Sequence, residues 1–349
     1  MPSRDISAHR AGARVVVRYA LAEPDERTGA RFTDVVGTLV ADSEEHLIVD
    51  SSRGRVTVPR PAVVATRIIP PRPSRRGAPH RALSIEDLER VMVGAWPPPE
   101  REQVGGWILR AGGGFTQRAN SALVVGHPDR PISDALARVQ EWYASRGLPG
   151  VLALPLPPGP DLGGGLEGDD VGTAALAAGW LPGEPVLVMT AATRSVLAAV
   201  DARTSARTSA GAAGSAVRVE LSSRVTDDWF EIYRRSRHTD RAVAEPVLHG
   251  SPAQSFALAR GAGGEALGVG RLGVSDGWAG IGGMWVVPAV RGGGIGLALI
   301  RGLLEAAADH GCVSTHLQVN VSNGRAVSLY ERLGWGIHHR YAYLSAPST

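Results

Sequence analysis

The chain has 349 residues, of which 44% are apolar, and a formal net charge of +3. That length suits two or three domains, and so small a charge gives no case for nucleic acid as the main partner. All 37 basic side chains are arginine and the one cysteine is Cys312, which excludes a disulfide framework within the chain.

No run of eighteen apolar residues appears, and Met1-Pro2-Ser3-Arg4-Asp5 has no apolar signal core. The expectation is a cytoplasmic protein with no membrane partner. The first ten or so residues read as a polar leader. From Arg14 to about Ile69 short β-prone runs alternate with turn residues: Val15–Tyr19, Val35–Val40, His46–Val49, Arg55–Val58 and Val63–Ile69. Five short strands in so little chain predict a small SH3-like β-barrel over 1–70, which either packs or docks a protein partner. Residues 71–82, rich in proline and arginine, read as a linker.

A second unit is expected over 83–190. Ser84 caps a helix that stops before Pro97-Pro98-Pro99. Strands follow around Gly112-Gly113-Gly114, then a helix from Ile132 to Arg146 ended by Gly147. Val151–Leu156 is a strand, Pro157–Gly168 a loop, Val171–Ala178 a helix ended by Gly179-Trp180, and Val186–Thr190 a closing strand. Residues 191–215, rich in Ala, Ser, Thr and Gly, read as a linker, helical near Val196–Val200. A third unit, 216–349, repeats the plan of the second in order and punctuation: Glu331-Arg332-Leu333-Gly334-Trp335 stands where the second has Leu176-Ala177-Ala178-Gly179-Trp180. The overall expectation is an α/β (α+β) chain with two mixed-sheet domains behind a small barrel.

The third unit carries the informative stretch. The strand-like Met284-Trp285-Val286-Val287 leads through Pro288 into Arg291-Gly292-Gly293-Gly294-Ile295-Gly296, and a helical pattern begins at once with Leu297. Strand, glycine turn and helix start present free N–H groups and a positive helix end to an anion, and a pyrophosphate suits it. The second unit has His127-Pro128-Asp129-Arg130-Pro131-Ile132 in that place. Two prolines remove donors and an aspartate adds negative charge, so no phosphate is expected there.

Arg291–Gly296 resembles the Arg/Gln-x-x-Gly-x-Gly/Ala acyl-CoA loop of the GNAT superfamily of N-acetyltransferases. Downstream, Asn323-Gly324-Arg325-Ala326-Val327-Ser328-Leu329-Tyr330-Glu331-Arg332-Leu333-Gly334-Trp335 resembles that family's Asn-x-x-Ala-x-x-Leu-Tyr segment. The likeness covers about Val217 to Leu344. The whole looks like the tandem GNAT proteins of high-GC bacteria, with a degenerate first copy and an added barrel. The resemblance implies acetyl-CoA as acyl donor and a primary amine, of a small molecule or a protein, as acceptor. It implies that Arg291 to Gly296 and Leu297 wrap the pyrophosphate, that Met284, Trp285 and Val286 pair with the pantetheine arm, and that Asn323 contacts the cofactor near its reactive end.

Amide transfer from a thioester needs a neutral amine, a polarised carbonyl and a proton for the departing sulfur. Tyr330 matches the family's general acid, and a backbone N–H near Val286 would polarise the carbonyl. Where members of that family that acetylate protein N-termini often carry a glutamate, five residues before the asparagine, this chain has Gln318, an amide that orients rather than accepts protons. Water, His316, Asp240, Glu245 and Asp276 are the other candidates for the base. His338 and His339 alternate with Tyr341 and Tyr343 as a closing strand does, and no metal is expected. Three other readings stand beside the N-acetyltransferase: a mycothiol-synthase-like small-molecule acetyltransferase, an acetyl-CoA sensor that docks a partner through the barrel, and a nucleic-acid-binding module using the barrel and the arginines of the linker.

Overall fold

The computed structural model describes residues 14–24, 29–51, 54–68, 79–159, 165–209 and 217–347. The expected leader and most of the 71–82 linker lie outside the described residues. The chain divides into two units, Met1–Arg72 and Pro73–Thr349.

In the first unit, β1 (Arg14–Ala20), β2 (Phe32–Asp42), β3 (His46–Ser51), β4 (Gly54–Pro59) and β5 (Val63–Ile68) pair antiparallel in the order β4-β3-β2-β1-β5. All five expected strands are present. Alternate residues Val15, Val17, Val35, Leu39, Leu47, Val49 and Val58 point into one small core, as period-two burial requires. Gly37 lets β2 lie close on β3, since a Cβ there would stand 2.1 Å from the Asp50 carbonyl oxygen.

The second unit runs α1 (Ile85–Ala95), β6 (Glu100–Val104), β7 (Trp107–Ala111), β8 (Ala122–Leu123), α2 (Ile132–Ala144), β9 (Val151–Leu156), α3 (Asp170–Ala177), β10 (Leu181–Pro182), β11 (Val186–Ala192) and α4 (Thr193–Ser209). It continues with β12 (Arg218–Ser222), α5 (Asp227–Arg234), α6 (Arg241–Leu248), β13 (Ala253–Arg260), β14 (Ala266–Ser275) and β15 (Trp278–Val286). Last come α7 (Ile295–Asp309), β16 (Ser314–Asn320), α8 (Gly324–Arg332) and β17 (Gly336–Ser345). One expectation changes: within the segment read as a linker, Thr193–Ser209 is helix, because Val196 and Val200 bury against the core beside α7. In the third unit α6 buries Ala244, Val247 and Leu248.

All twelve strands form one sheet, β12-β13-β14-β15-β16-β11-β17-β9-β8-β7-β6, with β10 on β17. The repeated plan has each unit end in its own closing strand, Val186–Thr190 in the second and the strand of His339 in the third. Instead β11 pairs with β16, from Val186 with Asn320 to Ala192 with Ser314, and β17 pairs with β9, from Arg340 with Leu156 to Ser345 with Val151. The two closing strands are exchanged and also pair with each other. Each half of the sheet is completed by a strand from the other half. On one face α7 buries Ile295, Leu299, Ile300, Leu303 and Leu304. A separate core holds Trp229 and Tyr233 of α5 with Val247 of α6 and Trp96, the residue that follows α1.

Candidate active site

β15 and β16 run parallel, and they pair only from Trp278 with Ser314 to Ile281 with Leu317. Beyond that point β15 stays with β14 as far as Val286, through a register shift at Val269/Arg271, while β16 stays with β11 as far as Asn320. Gly283 sits at the bend with φ +63°, which an L side chain rarely adopts. The strands therefore splay, and the facing edges of Gly282–Val286 and Gln318–Asn320 share no ladder.

A cavity of about 530 Å³ occupies this gap. Met284 and Gln318 line it from the splayed strands, and Asn323 and Tyr330 from α8 and its cap. Tyr341 and Tyr343 of β17 form another part of the wall. The rest comes from the first half of the sheet, through Trp96, Thr116, Gln117 and Arg118, and from Arg237 after α5. No carboxylate and no histidine is among the residues that line it.

The glycine turn stands where β15 ends. Gly292 and Gly294 take φ +88° and +94°. The backbone N–H groups of Gly294, Ile295, Gly296 and Leu297 have no hydrogen-bond partner among the described residues. The Ile295 and Leu297 side chains are buried in the core, so only their backbone faces the turn. The Arg291 side chain donates to the Val286 carbonyl at 3.0 Å and ties the turn to the splayed strand. Arg325 of α8 reaches towards it as well, with a guanidinium nitrogen 3.3 Å from where a Cβ on Gly292 would lie. This turn, the positive helix end and the splayed edge fit a CoA pyrophosphate and its pantetheine arm. In the first half, the Asp129 N–H is already taken by His127 Nδ1 at 3.0 Å, and Pro131 caps α2 without a side-chain bond.

Tyr330 packs edge-on against Trp335 with ring centroids 5.6 Å apart, and burial pushes its phenol up to about 12. It stays protonated throughout the neutral range. Gln318 is fixed at both ends of its amide: Oε1 accepts from the Tyr341 hydroxyl at 3.0 Å, and Nε2 lies 3.2 Å from Met92 Sδ. Asn323 Oδ1 accepts from the Ala326 N–H at 3.3 Å and caps α8.

None of the alternative side-chain bases lines the cavity. His316 lies behind the cavity wall with both ring nitrogens buried and unbonded, and burial pulls it down to about 3. Glu245 is paired with Arg241 at 2.6 Å, Asp276 accepts from Ser275, and Asp240 precedes α6; none of them lines the cavity. His339 is bonded to Glu89 at 2.8 Å, and His338 to the Leu83 carbonyl at 3.0 Å. The sequence distance between Glu89 and His339 hid that pair. It also hid Trp96, Arg118, Tyr341 and Tyr343 as lining residues, because Trp96 and Arg118 belong to the half without the motif and the tyrosines read as strand packing.

Residues 220–335 match the family model described as Acetyltransferase (GNAT) family. These residues form a GNAT acetyltransferase domain. The chain is an acyltransferase, and the GNAT family uses acetyl-CoA as its acyl donor. Residues 83–162 match a model described as Probable histone acetyltransferase Rv0428c C-terminal, and residues 9–67 its N-terminal Sm-like domain. Among curated relatives, the Probable histone acetyltransferase Rv0428c of Mycobacterium tuberculosis is 29% identical over 348 residues, covering 97% of this chain and 96% of its own. The Uncharacterized N-acetyltransferase YobR of Bacillus subtilis is 28% identical over 255 residues, covering 72% of this chain and 94% of its own. A GCN5-related N-acetyltransferase from Kribbella flavida shares the fold with a TM-score of 0.52 at 14% identity, over 76% of this chain and 96% of that one. Among the described residues no helix is long and apolar enough to cross a membrane.

Proposed function

We propose that residues 216–349 transfer the acetyl group of acetyl-CoA to a primary amine by direct attack within a ternary complex. We further propose that residues 83–190 are a GNAT-like copy that has lost the pyrophosphate loop. The observation that carries this reading is the divergence of β15 and β16 beside a glycine turn, with Tyr330 opening into the same cavity. Bound acetyl-CoA would supply a thioester carbonyl as the acyl donor.

In this reading the free N–H groups from Gly294 to Leu297, the end of α7 and the Arg325 guanidinium hold the pyrophosphate. The edge Met284–Val286 pairs with the pantetheine arm, and a backbone N–H of that edge polarises the carbonyl. Tyr330 holds the proton that the sulfur receives. Gln318, locked by Tyr341, orients the amine and accepts no proton. The transfer forms one N–C bond and breaks one C–S bond. The amine loses a proton to solvent, and Tyr330 recovers one from it. Cys312 takes no part: it is buried, away from the cavity, and its thiol is pushed up by burial. Titration calorimetry with acetyl-CoA and thiol release with an amine panel test the reading. One binding site per chain and amine-dependent release are expected. Two sites, or thiol release that no amine stimulates, would sink it.

A further inference from the structure

Building on the proposed transfer, the cavity also indicates which amines enter it. Its lining holds two arginines, Arg118 and Arg237, and no acid. Neither arginine has a carboxylate partner among the described residues, and Arg118 Nε is buried without any hydrogen bond. Behind them Arg271 is 1% exposed, packs over the Trp96 ring at 4.9 Å, and is held only by the Ala95 and Leu248 carbonyls and Ser251 Oγ, each at 2.8 Å. Glu89 and Glu184, outside the lining, are committed to His339 and to Asn320 with Ser322. Uncompensated guanidinium charge beside a cavity attracts an anion and repels a cation.

Arg118 is held in place. It sits in the 3-10 turn Gln117–Ala119, in a loop clamped by the buried Asn120 side chain. That amide accepts from the Gly112 and Gly114 N–H groups at 2.9 Å and donates to the Phe115 and Thr116 carbonyls at 2.8 Å. Thr116 is kept at φ +57°, a strained angle for a β-branched residue, and its hydroxyl accepts from Trp96 Nε1 at 3.0 Å. The Arg118 guanidinium then lies over the Trp96 ring at 5.4 Å. The four Asn120 bonds and the strained Thr116 thus set the position of a guanidinium that has no carboxylate partner among the described residues.

We propose that the acceptor is a small primary amine that carries its own negative charge, a carboxylate or a phosphate, bound by Arg118 and Arg237 against the face of Trp96. The half without a pyrophosphate loop then supplies Arg118 and Trp96 to acceptor recognition, and Arg237 comes from the other half. A lysine-rich tail has the wrong sign for this wall.

Saturation-transfer NMR on the full chain, with and without CoA, tests this with paired probes: the free amino acids against their C-terminal amides, glucosamine 6-phosphate against glucosamine, and a lysine-rich peptide. At least one anionic member is expected to bind about tenfold more tightly than its neutral partner. The two pairings separate a carboxylate from a phosphate. The ratio should fall towards one in Arg118→Met and in the exposed Arg237→Met, and survive in Arg118→Lys. Equal or better binding by the neutral partners, preference for the lysine-rich peptide, or no binding by any probe overturns the proposal. Acetyl-CoA calorimetry on the same samples separates this outcome from failure of the transferase reading, since the preference is also measured without CoA.

Discussion

Tyr330 is half-buried at the cavity and His316 is buried behind it, and loss of water acts on them in opposite directions because it disfavours whichever form is charged. The phenol is raised, so Tyr330 keeps its proton at every pH at which the enzyme would work. Tyr330→Phe should therefore lower kcat at least about a hundredfold without moving the alkaline limb of the pH profile below pH 10; steady-state rates over pH 6 to 10 check both. The imidazole is lowered to about 3, against about 6.5 in the unfolded chain. Between those values the unfolded chain binds the proton and the folded chain does not. The stability from a neutral His316 is full above pH 6.5 and is lost as pH falls below it. His316→Leu should flatten the acid loss of stability by up to about 1.4 kcal/mol per pH unit. Urea titrations at pH 7 and pH 5 would show it. His249 and His338 are lowered too, but they are common to both proteins, so the difference isolates His316.

At the scale of elements, the junction of β15 with α7 concentrates the proposed cofactor chemistry. Gly294 is the cap of α7 and stands at φ +94°. Any side chain there is strained, and a glutamate would also set a negative charge against the expected pyrophosphate. Gly294→Glu should weaken acetyl-CoA binding about a hundredfold while far-UV circular dichroism is retained, and calorimetry reads the loss. The corresponding junction of the first half, with its prolines and its Asp129 N–H already engaged, offers no such cradle. That half contributes instead the loop fixed by Asn120. In the proposed reading, the two copies of one plan serve as a donor side and an acceptor side of one cavity.

At the scale of the molecule, the exchange of β11 and β17 makes the two halves of the large sheet dependent on each other. Residues 216–349 alone would leave β16 with no partner beyond its short pairing with β15, and β17 with no partner at all. Unpaired edges of this length favour aggregation. The fragment should be insoluble or lack cooperative unfolding, whereas co-expression with residues 73–215 should restore a soluble pair. The intact Pro73–Thr349 unit should unfold in one transition by calorimetry. Independent folding of the fragment, with acetyl-CoA binding intact, would contradict the role given to the exchange.

The sequence by itself determined most of the elements and the motif of the proposed donor side. Period-two alternation set the five strands of the barrel, and the glycine turn, Asn323 and Tyr330 lie on short continuous stretches whose spacing reflects local geometry. That made the α/β class, the GNAT family and the proposed cradle legible. Only the tertiary structure decided which strands pair, because either closing strand has the apolar pattern to fill either gap, and register across the sheet is set by packing that no local stretch encodes. It likewise decided that Glu89 meets His339, that His316 is sealed away, and that Arg118 and Trp96 face Tyr330 and Gln318 across one cavity. Those contacts join residues about 200 or more apart in the chain, and only the folded sheet brings them together.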